Sequence, residues 1–278
     1  MKHCFVVFLA STGLAPLVAA QSADHSQPEA NPGRPTVSTP ATLTPVGYVQ
    51  FESGFTGAAT SVEFSSRYSF NLVAKLSVSP RLELLASVEP LARFTVNRST
   101  NNRLADIFVG AQGVLYRGEQ AKPTLAAGYF HRVFDGGSPE LDVGSPLNSF
   151  LLLASADVKG FHYDANAFIT ELIQEPVHRA QFGQSLTVSH PLSRRFTLSG
   201  EIWHFSQPFL QGNAVGNLWA LSYSPNKVLV LDIGFNRGLT DTSTHWEVFA
   251  GVTYLLPHRL WKPHGSRQIT GASTNGFR

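Results

Sequence analysis

The stretch SVEFSSRYSFNLVAKLSVS, residues 61–79, alternates for almost its whole length. Val62, Phe64, Tyr68, Phe70, Leu72, Ala74, Leu76 and Val78 share one parity, and Glu63, Ser65, Arg67, Ser69, Asn71, Lys75 and Ser77 share the other. Successive strand side chains point to opposite faces, so this is a strand with one apolar and one polar side; a helix would scatter the same residues around its circumference. The polar side is unusual in carrying full charges at mid-strand.

The alternation recurs. Leu82, Leu84, Ala86 and Val88 oppose Glu83, Ser87, Glu89 and Arg93; Phe161, Tyr163, Ala165, Ala167 and Ile169 oppose His162, Asp164, Asn166 and Thr170; Trp246, Val248, Ala250, Val252 and Tyr254 oppose Glu247 and Thr253. In KVLVLDIGFNRG, residues 227–238, the charge of Asp232 falls between Leu231 and Ile233, on the parity of Val230 and Gly234. Phe108, Val114 and Leu218 break the pattern in their segments. Segments between Gly, Pro, Asn and Asp breakers predict about twelve strands: 45–53, 61–77, 81–95, 103–117, 122–134, 148–159, 161–172, 179–190, 194–206, 214–224, 227–238 and 244–256.

Connections near residues 80, 120, 160, 192 and 225 are tight, and those around 53–61, 95–103, 134–148, 172–179, 206–214 and 237–244 are mostly longer. An even number of alternating strands, with short turns at one end and longer loops at the other, is the pattern of a transmembrane antiparallel β-barrel of the bacterial outer membrane. Only a closed sheet lets strands satisfy every backbone donor and acceptor where there is no water. A secreted soluble barrel with its apolar parity inward is the competing all-β fold. Mid-strand charges, loop alternation and an exported chain without thiols favour the membrane barrel.

Export is read from residues 1–20. Lys2 and His3 precede an apolar stretch that ends in Val18, Ala19 and Ala20, and Gly13 and Pro16 interrupt it before it reaches membrane-spanning length. The single cysteine, Cys4, lies in that signal. Residues 21–43, rich in Pro, Ser, Thr and Ala with no hydrophobic period, read as a disordered linker; 44–256 as the barrel; and 257–278 as a polar tail. A net charge of +2 gives no general attraction to nucleic acid.

The last third carries a resemblance. Pro225, Asn226, Asp232, Gly234, Arg237, Gly238, Leu239, Thr240, Asp241, Trp246, Phe249, Gly251 and Tyr254 follow the turn, Asp-x-Gly strand, RGLTD loop and W-x-x-F-x-G-x-x-Y strand of a family of outer-membrane channels labelled "MetA-pathway of phenol degradation". Weaker likeness extends through residues 79–91 and 105–130. The resemblance implies a non-enzymatic outer-membrane channel or transporter of a Gram-negative cell, for small, often aromatic or hydrophobic solutes. The expected partners are outer-membrane lipid, the assembly machinery and the solute.

With the polar parity inward, the expected lumen charges are Glu63, Glu83, Glu89, Asp106, Asp157, Asp164, Glu201, Asp232 and Glu247 against Arg67, Lys75, Arg93, Arg132 and Lys159. Such a net-negative lumen either favours cations or is closed by its own side chains, since twelve strands leave a modest interior. Ten histidines show no metal-binding spacing, and no cofactor or catalytic residue is assigned. His204-Phe205-Ser206 resembles the His-x-Ser stretch of outer-membrane lipid A deacylases, which makes a lipid-modifying enzyme one alternative; a structural or adhesive barrel is another.

Overall fold

The computed structural model describes residues 28–261 except 120, 140 and 143; the expected signal peptide and most of the C-terminal tail lie outside the described residues. Thirteen strands form one sheet: β1 (Val49–Ala59), β2 (Ser66–Ser79), β3 (Leu82–Val96), β4 (Ser99–Arg103), β5 (Ile107–Tyr116), β6 (Thr124–Phe134), β7 (Pro146–Val158), β8 (Phe161–Gln174), β9 (Val177–Pro191), β10 (Phe196–Gln207), β11 (Gly212–Asn226), β12 (Leu229–Gly238) and β13 (Trp246–Leu255). Neighbours are antiparallel throughout, and β1 pairs with both β2 and β13. The sheet therefore closes into a barrel of twelve staves, while β4 only prolongs the β3 hairpin above the rim.

The burial pattern inverts that of a soluble protein. Outward residues are large and apolar, among them Phe55, Phe150, Leu152, Phe182, Ile202, Ile233 and Val248. Buried residues include Gln50, Glu52, Arg67, Lys75, Glu83, Gln112, Glu201, Asp232 and Glu247. An apolar exterior around a polar interior is what hydrocarbon solvent requires, and it excludes the soluble barrel with its apolar parity inward.

Strand limits depart from expectation where membrane thickness ceases to govern them. The first strand occupies 49–59 rather than 45–53. β8 and β9 run to 14 and 15 residues, so the expected loop at 172–179 shrinks to Glu175 and Pro176. About 9–11 residues suffice to span the bilayer, and the surplus projects beyond it as paired hairpin. At the opposite end, where the short turns lie and which in outer-membrane barrels faces the periplasm, the chain leaving β13 folds back: Leu260 N–H donates to the Gly47 carbonyl (2.7 Å) and Arg259 Nε to that of Val46 (3.0 Å).

The largest departure concerns the segment ahead of β1. Residues 28–45, expected within a disordered linker, lie inside the barrel as a hairpin. One limb enters where Ala30 N–H meets the Lys227 carbonyl in the β11–β12 turn. The chain rises to a bend at Pro35–Ser38 and descends to Thr44, beside Ser77 and Glu83 near the same mouth. Asn31 ties the limbs, donating to the Thr42 carbonyl (2.8 Å) and accepting from the Thr42 hydroxyl (3.3 Å).

Candidate functional site: an occluded lumen

Prolines at 28, 32, 35, 40 and 45 keep this hairpin from forming a ladder of its own. Its backbone donors turn to the wall instead. The N–H groups of Asn31, Gly33, Val37, Ser38, Thr39, Ala41 and Thr44 donate to Gln50, Glu52, Glu201, Glu201, Asn166, Ser155 and Glu83 respectively, at 2.7–2.9 Å. Hydrogen bonds to charged acceptors are worth about 1.5–3 kcal/mol each, and four of these seven go to carboxylates. The Ser38 hydroxyl adds bonds to Glu201 (2.6 Å) and Ser185 (2.8 Å), and the Thr44 hydroxyl donates to Glu83.

At mid-height the hairpin places Arg34 across four strands. Its Nη2 and Nε reach Asp232 at 3.2 and 3.4 Å, and its Nη1 reaches Asn71 Oδ1 at 3.3 Å. Asn71, Gly54, Gly251 and Asp232 stand opposite one another on β2, β1, β13 and β12. The guanidinium lies over the two glycines, where a Cβ at either position would come within 2.5 Å of it.

Three further ion pairs line the wall: Lys75–Glu52 (2.6 Å), Arg67–Glu89 (2.5 Å) and Arg132–Asp106 (2.9 Å). With Arg34–Asp232 they engage every lumen base among the described residues. Glu83 and Glu201 are satisfied by the hairpin instead, Asp164 by Ser155 (2.5 Å) and His162 (3.1 Å), and Glu247 by the Asn236 amide (2.7 Å).

Of the fourteen charges expected in the lumen, Arg67, Lys75, Glu83, Glu89, Asp106, Arg132, Asp164, Glu201, Asp232 and Glu247 are in its buried polar network. Asp157 sits exposed at the periplasmic rim, paired with His162. Glu63 belongs to the exposed β1–β2 loop, and Lys159 to the β7–β8 turn with φ 51°. Arg93 points outward. Between the pairs Leu72–Val88 and Phe70–Leu91, β3 carries an extra residue, a bulge at Glu89–Pro90 that reverses its parity. Sequence reasoning missed Glu52, Arg34 and Asp142. An excess of inward acids was the available signal, because buried carboxylates without cations must find other donors.

Two cavities flank the bend of the hairpin, and Arg34, Pro35 and Thr36 line both. The periplasmic one, about 290 Å³, is walled by the hydroxyls of Thr187, Ser189, Thr197, Ser199, Ser222 and Ser224. The outer one, about 200 Å³, is walled by Trp203, Phe205, Leu218 and Phe249 with Asn236 and Glu247. Trp203 is fixed by its Nε1–H bond to Asn236 Oδ1 (2.8 Å) and packs on Phe205, whose ring lies 5.7 Å from that of Phe168. Leu218, which breaks the alternation in sequence, is inward because the lumen is apolar here.

The β6–β7 loop contributes to the wall of this chamber. Leu141 and Asp142 line it, Asp142 Oδ1 accepts the Thr244 N–H (2.6 Å), and the Asp142 carbonyl accepts from Gln207. Burial pushes the Asp142 carboxyl up from 3.8 to about 6, against the pull of its hydrogen bonds with Thr244.

On the outer face, His204 and Ser206 are engaged separately. His204 Nε2 meets Asn213 Oδ1 at 3.0 Å, and the Ser206 hydroxyl accepts the Phe182 N–H at 2.8 Å. Neither contact joins the two side chains as base and nucleophile.

Solved structures share this architecture. An outer-membrane channel from Pseudomonas putida F1 superposes with a TM-score of 0.57 at 12% identity, covering 84% of this chain and 100% of that one. The NanC porin gives 0.51 at 13% identity, over 75% and 100%, and the KdgM porin 0.51 at 12%, over 74% and 98%. No family model and no curated protein matches the sequence. At these identities the likeness shows the fold: a closed twelve-stranded barrel of the outer-membrane type.

Proposed function

We propose that this chain is a passive outer-membrane channel for small molecules, aromatic or hydrophobic ones in particular, held closed by its own N-terminal hairpin. The observation that carries this is the outer chamber. A polar lumen has no need of Trp203, Phe205, Leu218 and Phe249 on its inner face, whereas a small apolar solute entering from the loop side would be received there. The fold shared with channels and porins supports passage as the task, as does the sequence likeness to the phenol-degradation channel family.

The hairpin decides whether the pore conducts. Seated, its bend separates the two cavities; withdrawn, it leaves Glu52, Glu83, Glu201 and Asp232 without the donors it supplies. The opened lumen is then strongly acidic and favours cations. The test is conductance in planar bilayers, with and without a phenol-like solute, for the full protein and for a variant lacking residues 28–40. Low basal conductance, a rise in the deletion variant with cation-selective reversal potentials, and a change in current on adding the solute are expected. Silence in both proteins would point to a structural barrel instead.

A further inference from the structure

The surface beneath Arg34 is shaped for a planar cation. Asn71, Gly54, Gly251 and Asp232 form one straight cross-strand row, with its two central members lacking side chains. A Cβ at Gly54 would lie 2.5 Å from the guanidinium carbon, and one at Gly251 2.5 Å from Nε, so the bare backbone of this pair makes the floor. Asp232 accepts two N–H groups, from Nε and Nη2, along one edge of the plate, and Asn71 accepts one from Nη1. A tetrahedral ammonium presents no flat face to such a floor and no parallel pair of donors to the carboxylate.

We propose that this row is a binding site for the guanidinium or amidinium group of a solute, which Arg34 occupies as an intramolecular stand-in, so that a solute bearing such a group unseats the hairpin by taking its place. The proposal rests on the channel function above and adds to it a class of ligand. Tethering gives Arg34 an effective concentration on the order of millimolar or more, so a bare guanidinium ion competes poorly in the intact protein. A solute that also makes an apolar contact competes better, and Phe249 and Leu218 line the same cavity as Arg34. The favoured ligand is therefore a guanidinium or amidinium carried on an aromatic or alkyl body.

Vacating the site provides the test. Arg34→Ala is reconstituted in planar bilayers and, separately, its thermal unfolding in detergent is followed with guanidinium, benzamidine or tetramethylammonium added at millimolar concentration. Guanidinium and benzamidine are expected to stabilise the variant and lower its current, about tenfold more effectively than tetramethylammonium, and a second change, Asp232→Asn, to abolish both effects. Arg34→Gln, which keeps a polar side chain but leaves Asp232 without its tethered cation, is the second variant should Arg34→Ala fail to fold; it is expected to respond to guanidinium in the same way. Equal responses to guanidinium and tetramethylammonium, or no stabilisation, would overturn the site while leaving a conducting variant as a channel. Stabilisation by guanidinium with no current in any variant would retain the site and overturn the channel.

Discussion

Asp232 and Ile233 are chain neighbours that face different solvents. Ile233 is 61% exposed on the outer wall, and Asp232 is buried in the lumen against Arg34. A charge at mid-membrane on the lipid face is penalised by about 2–4 kcal/mol for Arg or Lys, so Ile233→Arg is expected to lower the unfolding free energy of the barrel by that order in lipid or detergent. Asp232→Asn should leave the barrel folded and raise its conductance, because it weakens the hold on Arg34. Gly251→Ala should match Asp232→Asn in conductance although it changes no charge, since the added Cβ occupies the place of the guanidinium. Both sequence motifs that hold these residues, Asp-x-Gly and the final W-x-x-F-x-G, were legible. Their purpose was not, because the partner lies 198 residues away from Asp232, in a segment whose composition resembles disorder.

At the scale of elements, strands were the most legible part. All twelve staves are overlapped by predicted segments, since alternation records the two-faced environment directly. The hairpin was invisible for a physical reason: a stretch rich in Pro, Ser and Thr cannot satisfy its backbone alone, and periodicity is silent about partners supplied by a surrounding wall. Its seating can be locked. Ser38 and Ser185 have hydroxyls 2.8 Å apart, and Cys4, in the expected signal, is the only cysteine of the sequence. A Ser38→Cys/Ser185→Cys protein should therefore lose residual conductance on oxidation and regain it with a reductant, while either single change does neither. The β6–β7 loop gives a separate response. The Asp142 carboxyl binds its proton more tightly with the loop inserted, so insertion is disfavoured as pH rises through about 6 and favoured as pH falls toward 3.8. Glu63 and Glu247 add to the negative field there and Arg67 opposes it. In an Arg34→Ala background, current should fall between pH 7 and pH 5, and Asp142→Asn should remove that dependence.

Over the whole molecule, closure of the sheet makes migration on a denaturing gel depend on heating: the folded barrel should run apart from the boiled chain and fractionate with the outer membrane, whereas recovery as a soluble periplasmic monomer would contradict the apolar exterior. Of the charges that parity assigns to the lumen, Glu63 lies in a loop, Lys159 in a turn and Asp157 at an exposed rim, and one bulge turns Arg93 outward. Parity counting propagates through regular strands, fails at the first inserted residue as at Arg93, and does not say where a strand leaves the lumen, as at Glu63, Asp157 and Lys159.

The hairpin at residues 28–45 enters and leaves by one mouth. It is therefore not threaded: no strand must part and no knot must slip for it to come out. Tension applied from the periplasm to the chain ahead of residue 28 would load its anchors in file, Ala30 on Lys227 first, then Asn31, Gly33 and Arg34, before any at Val37 or Ser38 bears load. Bonds loaded in file peel like a zip, whereas bonds loaded together resist as a sheared seam, so this stopper yields to a smaller pull on its leading end than to a load shared by all its anchors at once.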